Sequence, residues 1–228
     1  MSGVSVSVAA VDTVTGHSVS AGTDGGQWTA SVYKLLVLEA LLLQHQDAGT
    51  PLSAAEDAEA TTMIENSDNT AGYELFEDVG GYSGLAAAAT RLGLTETAQG
   101  ISDPAFTSTS ASDCIQLLRQ LTGNLALDAA SRDYALGLMR DVESDQRWGV
   151  GAAGDGTDFA NKNGWLSVDN DNAPSEDDDD LWIVNSVGII DVDGHQVLMA
   201  VLTEHEDDLD DGIAAVQQLA TLAAAAVR

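Results

Sequence analysis

Val4, Val6, Val8 and Ala10 fall on alternate positions, the period of a strand with one buried face. Turn formers from Asp12 to Gly16 and a return over Ser18 to Ala21 complete an opening β-hairpin. Residues 31 to 46, SVYKLLVLEALLLQHQ, are apolar on nearly every side, which predicts a helix enclosed by other elements, ended by Gly49 and Pro51. Helical periodicity then persists to about residue 144. Ser53 and Glu56 form a capping box, and Asn69 to Asp78, Gly84 to Leu92, Ser112 to Leu121 and Asp128 to Val142 read as further helices. The stretch from Leu94 to Ser110 has turn and cap formers without a period and is expected to be a loop.

Strand signals return at Thr157 to Lys162, Leu181 to Ile190 and Gln196 to Leu202, and an alanine-rich helix, Leu209 to Val227, closes the chain. Two N-terminal strands alone are marginal in water, so strands from both ends are expected to share one sheet. The predicted fold class is α/β (α+β): a five-stranded antiparallel sheet flanked by N- and C-terminal helices, with an inserted all-helical subdomain. The expected division is 1–46 with 145–228 for the sheet subdomain and 47–144 for the helical one, interleaved in a single catalytic unit.

Charge changes the picture. Thirty-seven acidic side chains stand against eight basic ones, a formal net of −29. Such a field repels nucleic acid and anionic membranes, so neither is expected as a partner. An acidic, lysine-poor surface suits a salt-rich, halophilic setting; an engineered or merely solubilising surface reads as well. The acidic run Glu176 to Asp180 is expected at a solvated hairpin tip, because Ala173 and Pro174 break the order of a calcium loop. Cys114 is the single cysteine, so no intramolecular disulfide and no cysteine metal site is written here. No cofactor or metal is expected, and a monomer is. The N-terminus has no basic region followed by an apolar core, and no stretch approaches 18 apolar residues, which leaves a cytoplasmic location open.

Only two of the basic residues are lysines, Lys34 and Lys162, and each sits in a short pattern with chemical sense. Ser31 and Lys34 are three apart at a helix start, on one face and within reach of each other. Desolvation lowers a lysine's pKa, which equips Lys34 to take the Ser31 proton; a serine cap followed by a snorkelling lysine is the plain alternative. Ser67-Asp68-Asn69 stands at another helix start and by itself reads as an N-cap. Lys162-Asn163-Gly164-Trp165 lies on a predicted strand where Gly164 permits close backbone approach by a ligand. The histidines, His17, His45, His195 and His205, fall in turns or helix ends, away from any serine–aspartate grouping that would make a Ser-His-Asp triad.

Together and in this order the three patterns resemble S-x-x-K, S-D-N and K-T-G, the motifs of class A β-lactamases and penicillin-binding proteins. MIENSDNTAGYELFEDVGG is similar to that family's second-motif helix, and KNGW followed by WIVNSVGII to its third and fourth strands. KNGW and LGLMRDVESDQRWGVG also resemble the actinobacterial β-lactamase-related serine hydrolases. The resemblance covers essentially the whole chain. It implies a serine hydrolase with Ser31 as acylated nucleophile, Lys34 as base, Ser67 as proton relay to the leaving nitrogen, and Lys162 holding Ser67 and supplying positive potential. Asn69, Asn163, Gly164 and Trp165 become substrate-binding, with the backbone N–H groups of Ser31 and Trp165 as the oxyanion hole. The implied partner is a small molecule, a β-lactam or a related peptide amide or ester, and the implied location is secreted or at the cell envelope.

Two departures qualify what the resemblance implies. The loop after the second motif offers only Glu96 and Asp103 in place of the family's deacylating glutamate, which leaves a penicillin-binding or non-turnover protein on the same fold as the alternative; Asp103 before Pro104 is the better stand-in, against a plain cap. Asn163 replaces a hydroxyl residue that helps bind the substrate carboxylate, and no arginine occurs between Arg147 and Arg228. Arg147 is left either to reach the site or to pair with Asp145. The short link from the first helix to Pro51 implies a missing helical piece and a more open cleft.

Overall fold

A computed structural model describes residues 3–23, 25–100, 103–156, 158–168 and 181–228. Strands β1 (Ser5–Asp12) and β2 (Ser18–Gly22) form the opening hairpin, and the two-residue β3 (Gln27–Trp28) follows. A 3-10 turn, Ala30–Val32, runs into α1 (Tyr33–Ala48), which ends on Gly49 in the left-handed conformation. Next come α2 (Ala54–Glu65), with the Ser53–Glu56 capping box formed, α3 (Asn69–Asp78) and α4 (Gly81–Leu92). Strand β4 (Ser108–Thr109), α5 (Ala111–Thr122) and α6 (Ala129–Arg140) lead to the long strands β5 (Ala160–Val168), β6 (Leu181–Val192) and β7 (His195–Glu206), and α7 (Leu209–Ala226) ends the chain.

The main sheet is antiparallel in the order β2-β1-β7-β6-β5. Strand β7 pairs with β1 from Ser5↔Glu204 to Asp12↔Val197, so both chain ends share the sheet as the pattern required. Alternation along β7 divides the interior in two. Leu198, Ala200 and Leu202 join α1 and the helical block in one core, while Val197, Met199 and Val201 meet Val216, Ala220 and Ala223 of α7 on the other face. Every residue of α1 from Tyr33 to Leu43 is buried, the enclosed position that its all-round apolarity predicts.

Two expectations are corrected. The stretch between Leu94 and Ser110 is not a featureless loop: Asp103 caps a 3-10 turn over Pro104–Phe106, Ala98 bridges Ser108, and β4 pairs with β3 through Gln27↔Thr109 and Trp28↔Ser108. Two-residue strands carry too little alternation to register as a period. The strand expected to end at Lys162 instead runs on to Val168, because Gly164 continues the ladder opposite Asn185. The acidic tip Glu176 to Asp180 and the strand start at Thr157 lie outside the described residues.

Candidate active site

Three structural pieces converge on one point: the 3-10 turn before α1, the link between α2 and α3, and the edge strand β5. Ala30 at the turn has φ 42°, a left-handed conformation that costs a residue with a Cβ about 1–3 kcal/mol. Packing holds it, since Ala30 is buried and β5 presses on the same turn. A Cβ placed on Gly164 would lie 2.7 Å from the Thr29 carbonyl oxygen, 2.8 Å from Ser31 N and 2.9 Å from Val32 N. The close approach for which the sequence reserves a glycine is therefore that of the chain's own turn at Ser31, not of a ligand alone. It sets the backbone of β5 directly against the Ser31 N–H.

Lys34, in the first turn of α1, is fully buried, and its Nζ stands 3.1 Å from Ser31 Oγ. The same nitrogen donates to the Ser67 carbonyl at 2.6 Å and to Asn69 Oδ1 at 2.7 Å, with Ser67 Oγ at 3.4 Å. Burial holds the Lys34 pKa at about 8, against the opposing pull of the Asp68 and Asp103 carboxylates. Room for the lysine stem comes from α3, where a Cβ on Gly72 would fall 2.8 Å from Lys34 Cε. A glycine inside a helical pattern was the signal for that contact.

Ser67 has φ 58°, and Asp68 behind it caps α3 by accepting from the Ala71 N–H at 2.8 Å. Lys162 approaches Ser67 from the opposite side to Lys34: its Nζ donates to Ser67 Oγ at 2.9 Å and to the Asn163 carbonyl at 2.9 Å. Burial, and then the Lys34 charge, push Lys162 well below the ordinary lysine range. The Ser67 hydroxyl thus bridges the two lysines.

Ser31, Ser67 and Asn69 face a cleft of about 370 Å³, which Trp165 also lines while its ring packs edge-on against Trp148, 5.9 Å between centroids. Its remaining walls include Tyr33, Asn66, Tyr73, Asp103, Pro104, Ala105 and Leu166, of which only Asp103 was singled out from the sequence. Tyr73 lies one helical turn beyond Asn69, so the helix period itself put both on one face.

A family model described as the Beta-lactamase enzyme family matches residues 43–227. The chain belongs to this family. The matched span holds Ser67, Asn69 and Lys162 and starts after Ser31 and Lys34. LppW of Mycobacterium tuberculosis, named as a lipoprotein, is 32% identical over 173 residues, 72% of this chain and 55% of its own length, and its Mycobacterium bovis counterpart matches equally. The chain therefore spans about half the length of these relatives. Among solved structures, PBP-A superposes with a TM-score of 0.81 at 20% identity, covering 99% of this chain and 91% of that one. TLA-1 extended-spectrum β-lactamase gives 0.80 at 18%, covering 98% and 93%, and a class A β-lactamase from Bacteroides cellulosilyticus gives 0.80 at 14%, covering 98% and 91%. At these identities the likeness is one of fold.

Within the β-lactamase fold, some of the residues singled out from the sequence do not reach the cleft. Asn163 follows Lys162 on a strand, and successive strand side chains point to opposite faces. Its amide donates to the Gln146 carbonyl at 2.8 Å and the Trp148 carbonyl at 3.3 Å, behind the strand and 1% exposed. The guanidinium of Arg147 lies over the Phe159 ring, 4.3 Å from its centroid, and donates to the Arg140 carbonyl rather than pointing into the cleft. Glu96 lines a separate cavity beside Ser110 and Thr23. Asp103 does reach the cleft, where its Oδ1 also accepts from the Ala105 N–H at 2.8 Å, so the capping and the cleft-facing roles coexist.

Proposed function

We propose that the protein is a serine acyl-transfer hydrolase, with Ser31 the nucleophile and Lys34 its base. The observation that carries this is the hydrogen-bond set around Lys34 Nζ. A neutral amine has two N–H groups and one lone pair. The two nearest partners, the Ser67 carbonyl and Asn69 Oδ1, can only accept, so they take both N–H groups and leave the lone pair for the Ser31 hydroxyl at 3.1 Å. Ser31 Oγ then adds to a substrate carbonyl carbon while its proton passes to Lys34. The N–H groups of Ser31 and Trp165 are suited to hold the developing oxyanion, since β5 abuts the turn at Gly164.

Collapse expels the leaving nitrogen or oxygen, which takes a proton from the Ser67 hydroxyl. Lys34 or Lys162 restores that proton from 3.4 or 2.9 Å. Asn69, with Oδ1 committed to Lys34, keeps its amide N–H groups for the acyl part of the substrate. Water then cleaves the ester at Ser31. Among the described residues lining the cleft, Asp103 is the carboxylate available to orient that water.

A second reading is a penicillin-binding protein that acylates and releases slowly. The position of Glu96 outside the cleft favours it, as does the fold shared with PBP-A, a variant of which is known as an acyl-enzyme with penicillin G. The lipoprotein name of the mycobacterial relatives supports a place at the cell envelope. Time-resolved intact-protein mass spectrometry with benzylpenicillin, an uncharged p-nitrophenyl ester and a fluorophosphonate tests the proposal. A transient adduct on Ser31 supports hydrolysis and a persistent one the second reading. No adduct on Ser31 from any of the three overturns both.

A further inference from the structure

Of the two edges of the main sheet, β5 abuts the turn at Ser31, whereas the outer edge of β2 is open among the described residues. At the ends of the β1–β2 ladder, Asp12 N donates to the His17 carbonyl and Thr23 N to the Val6 carbonyl. In the antiparallel register between them, Val19 and Ala21 turn their N–H and C=O groups to β1, and Ser18, Ser20 and Gly22 turn theirs outward. The β2 sequence, SVSAG, has none of the devices that blunt such an edge: no proline, no charged side chain and no bulge. Ser18 and Ser20 stand opposite Val11 and Ala9 and share their face of the sheet. Along that face α5 presents Ser112, Ile115 and Arg119, and two adjoining cavities of about 260 and 210 Å³ run between hairpin and helix, sharing Ser20 and Ser112. The two ends of this groove carry opposite charge. Glu96 lines the cavity that holds Thr23, and Arg119 the one that holds Ser18. Both side chains are exposed, and among the described residues neither makes an ion pair or a hydrogen bond. For Arg119 this is exceptional in a chain with 37 acidic groups: Arg91, Arg140 and Arg228 each pair with an aspartate, and Arg132 and Arg147 donate to backbone carbonyls.

We propose that the β2 edge and this groove bind an extended peptide as a sixth, antiparallel strand, with the peptide's C-terminal carboxylate on Arg119 and its N-terminal ammonium toward Glu96. An antiparallel partner starts beside Gly22 and ends beside Ser18, so its direction sets each terminal charge against the opposite charge of the groove. Main-chain hydrogen bonds to Ser18, Ser20 and Gly22 supply affinity, and the charged ends fix the orientation. A second copy of the chain is the weaker occupant, because pairing two β2 edges brings together two net charges of −29. The site lies away from the cleft at Ser31 and does not depend on the reaction proposed there.

The test titrates the nitrogen-15-labelled full chain with the pentapeptide TVTVT, in its free-acid and C-amidated forms, and follows backbone amides by NMR. The free acid is expected to shift the Ser18, Ser20 and Gly22 amides at millimolar concentration. The amidated form is expected to bind about fivefold less tightly, the size of one exposed charge contact. Arg119→Gln is expected to weaken the free acid by the same factor and to leave the amidated form unchanged. Ser20→Pro removes an outward N–H and no bond to β1, so the shifts are expected to vanish while the unfolding temperature holds. Should Ser20→Pro fail to fold, the comparison of acid and amide in Arg119→Gln decides. Absence of shifts along β2, shifts confined to the cleft at Ser31, or equal affinity for acid and amide would overturn the proposal. A concentration-dependent dimer, seen by sedimentation without peptide and broadening the β2 amides, would overturn it in favour of a second copy.

Discussion

Gly164→Ala places one methyl group between the edge strand and the turn that carries Ser31, the proposed nucleophile. The new Cβ would sit 2.7 Å from the Thr29 carbonyl oxygen and 2.8 and 2.9 Å from Ser31 N and Val32 N. Carbon is comfortable at about 3.5 Å, so β5 and the turn must part by roughly 0.7 Å, and every neighbour is backbone that cannot rotate aside. Ser31 N and the strand leading to Trp165 lie on opposite sides of that wedge, which separates the two proposed oxyanion donors. Misplacement on this scale, or loss of one donor, costs on the order of 10²- to 10³-fold in rate. Overpacking adds about 1–3 kcal/mol of destabilisation, a fall of roughly 2–10 °C in Tm for a chain of this size. The second-order rate of phosphonylation by a fluorophosphonate, followed by intact mass and paired with thermal unfolding by circular dichroism, separates the two effects. Because Lys34 takes its partners from Ser67 and Asn69, the pH midpoint of labelling is expected to stay where it is. Labelling within threefold of the parent in a variant whose Tm has dropped would refute the coupling of strand edge to oxyanion site.

Three further outcomes follow from the structure. Ser67→Gly relieves the φ of 58° and removes the hydroxyl between the lysines, so stability is expected to hold or rise by about 1 kcal/mol. Anilide cleavage should meanwhile fall about 10²-fold more than p-nitrophenyl ester cleavage, since only the anilide needs a proton on its leaving group; equal losses would exclude the relay. Glu39 is fully buried in α1 with neither carboxylate oxygen hydrogen-bonded among the described residues, and burial raises its pKa well above the ordinary value. The folded state then holds a proton that the unfolded state has lost, so stability declines as pH rises above about 4.5. Glu39→Met is expected to raise stability near pH 7 by about 1–3 kcal/mol and flatten that slope in urea unfolding; an unchanged slope would remove the assignment. With 37 acidic groups against 8 basic ones, Tm is expected to climb between roughly 0.05 and 1 M NaCl, and a flat response would exclude repulsion as a limit on stability.

Long periods made most of the fold legible in the sequence. The unbroken apolarity of α1 and the Ser53–Glu56 box each reported an environment that the structure supplies, whereas the alternation in β1 marked the strand but not its setting, since Ala9 is buried in one core and Val8 and Ala10 in the other. The β3–β4 pair stayed hidden because two residues on each side show no period. At the site, Ser31, Lys34, Ser67, Asn69, Gly164 and Trp165 were named from short patterns, and distances between residues as remote in sequence as Ser67 and Lys162 had to come from the fold. Asn163 was misplaced although the information was present: beside Lys162 on a strand, it had to face the other way. Tyr33, Asn66 and Leu166 enter the cleft through backbone geometry that no spacing encodes.

The pH dependence of Ser31 phosphonylation by an uncharged fluorophosphonate, with the modified residue mapped by peptide mass spectrometry, tests most directly whether a neutral Lys34 activates this serine. With the Lys34 pKa at about 8, the rate is expected to rise nearly tenfold per pH unit below 8, to level off above it, and to lose that rise in Lys34→Met. A rate that is flat across pH 6 to 9, or a label on any residue other than Ser31, would contradict the assignment.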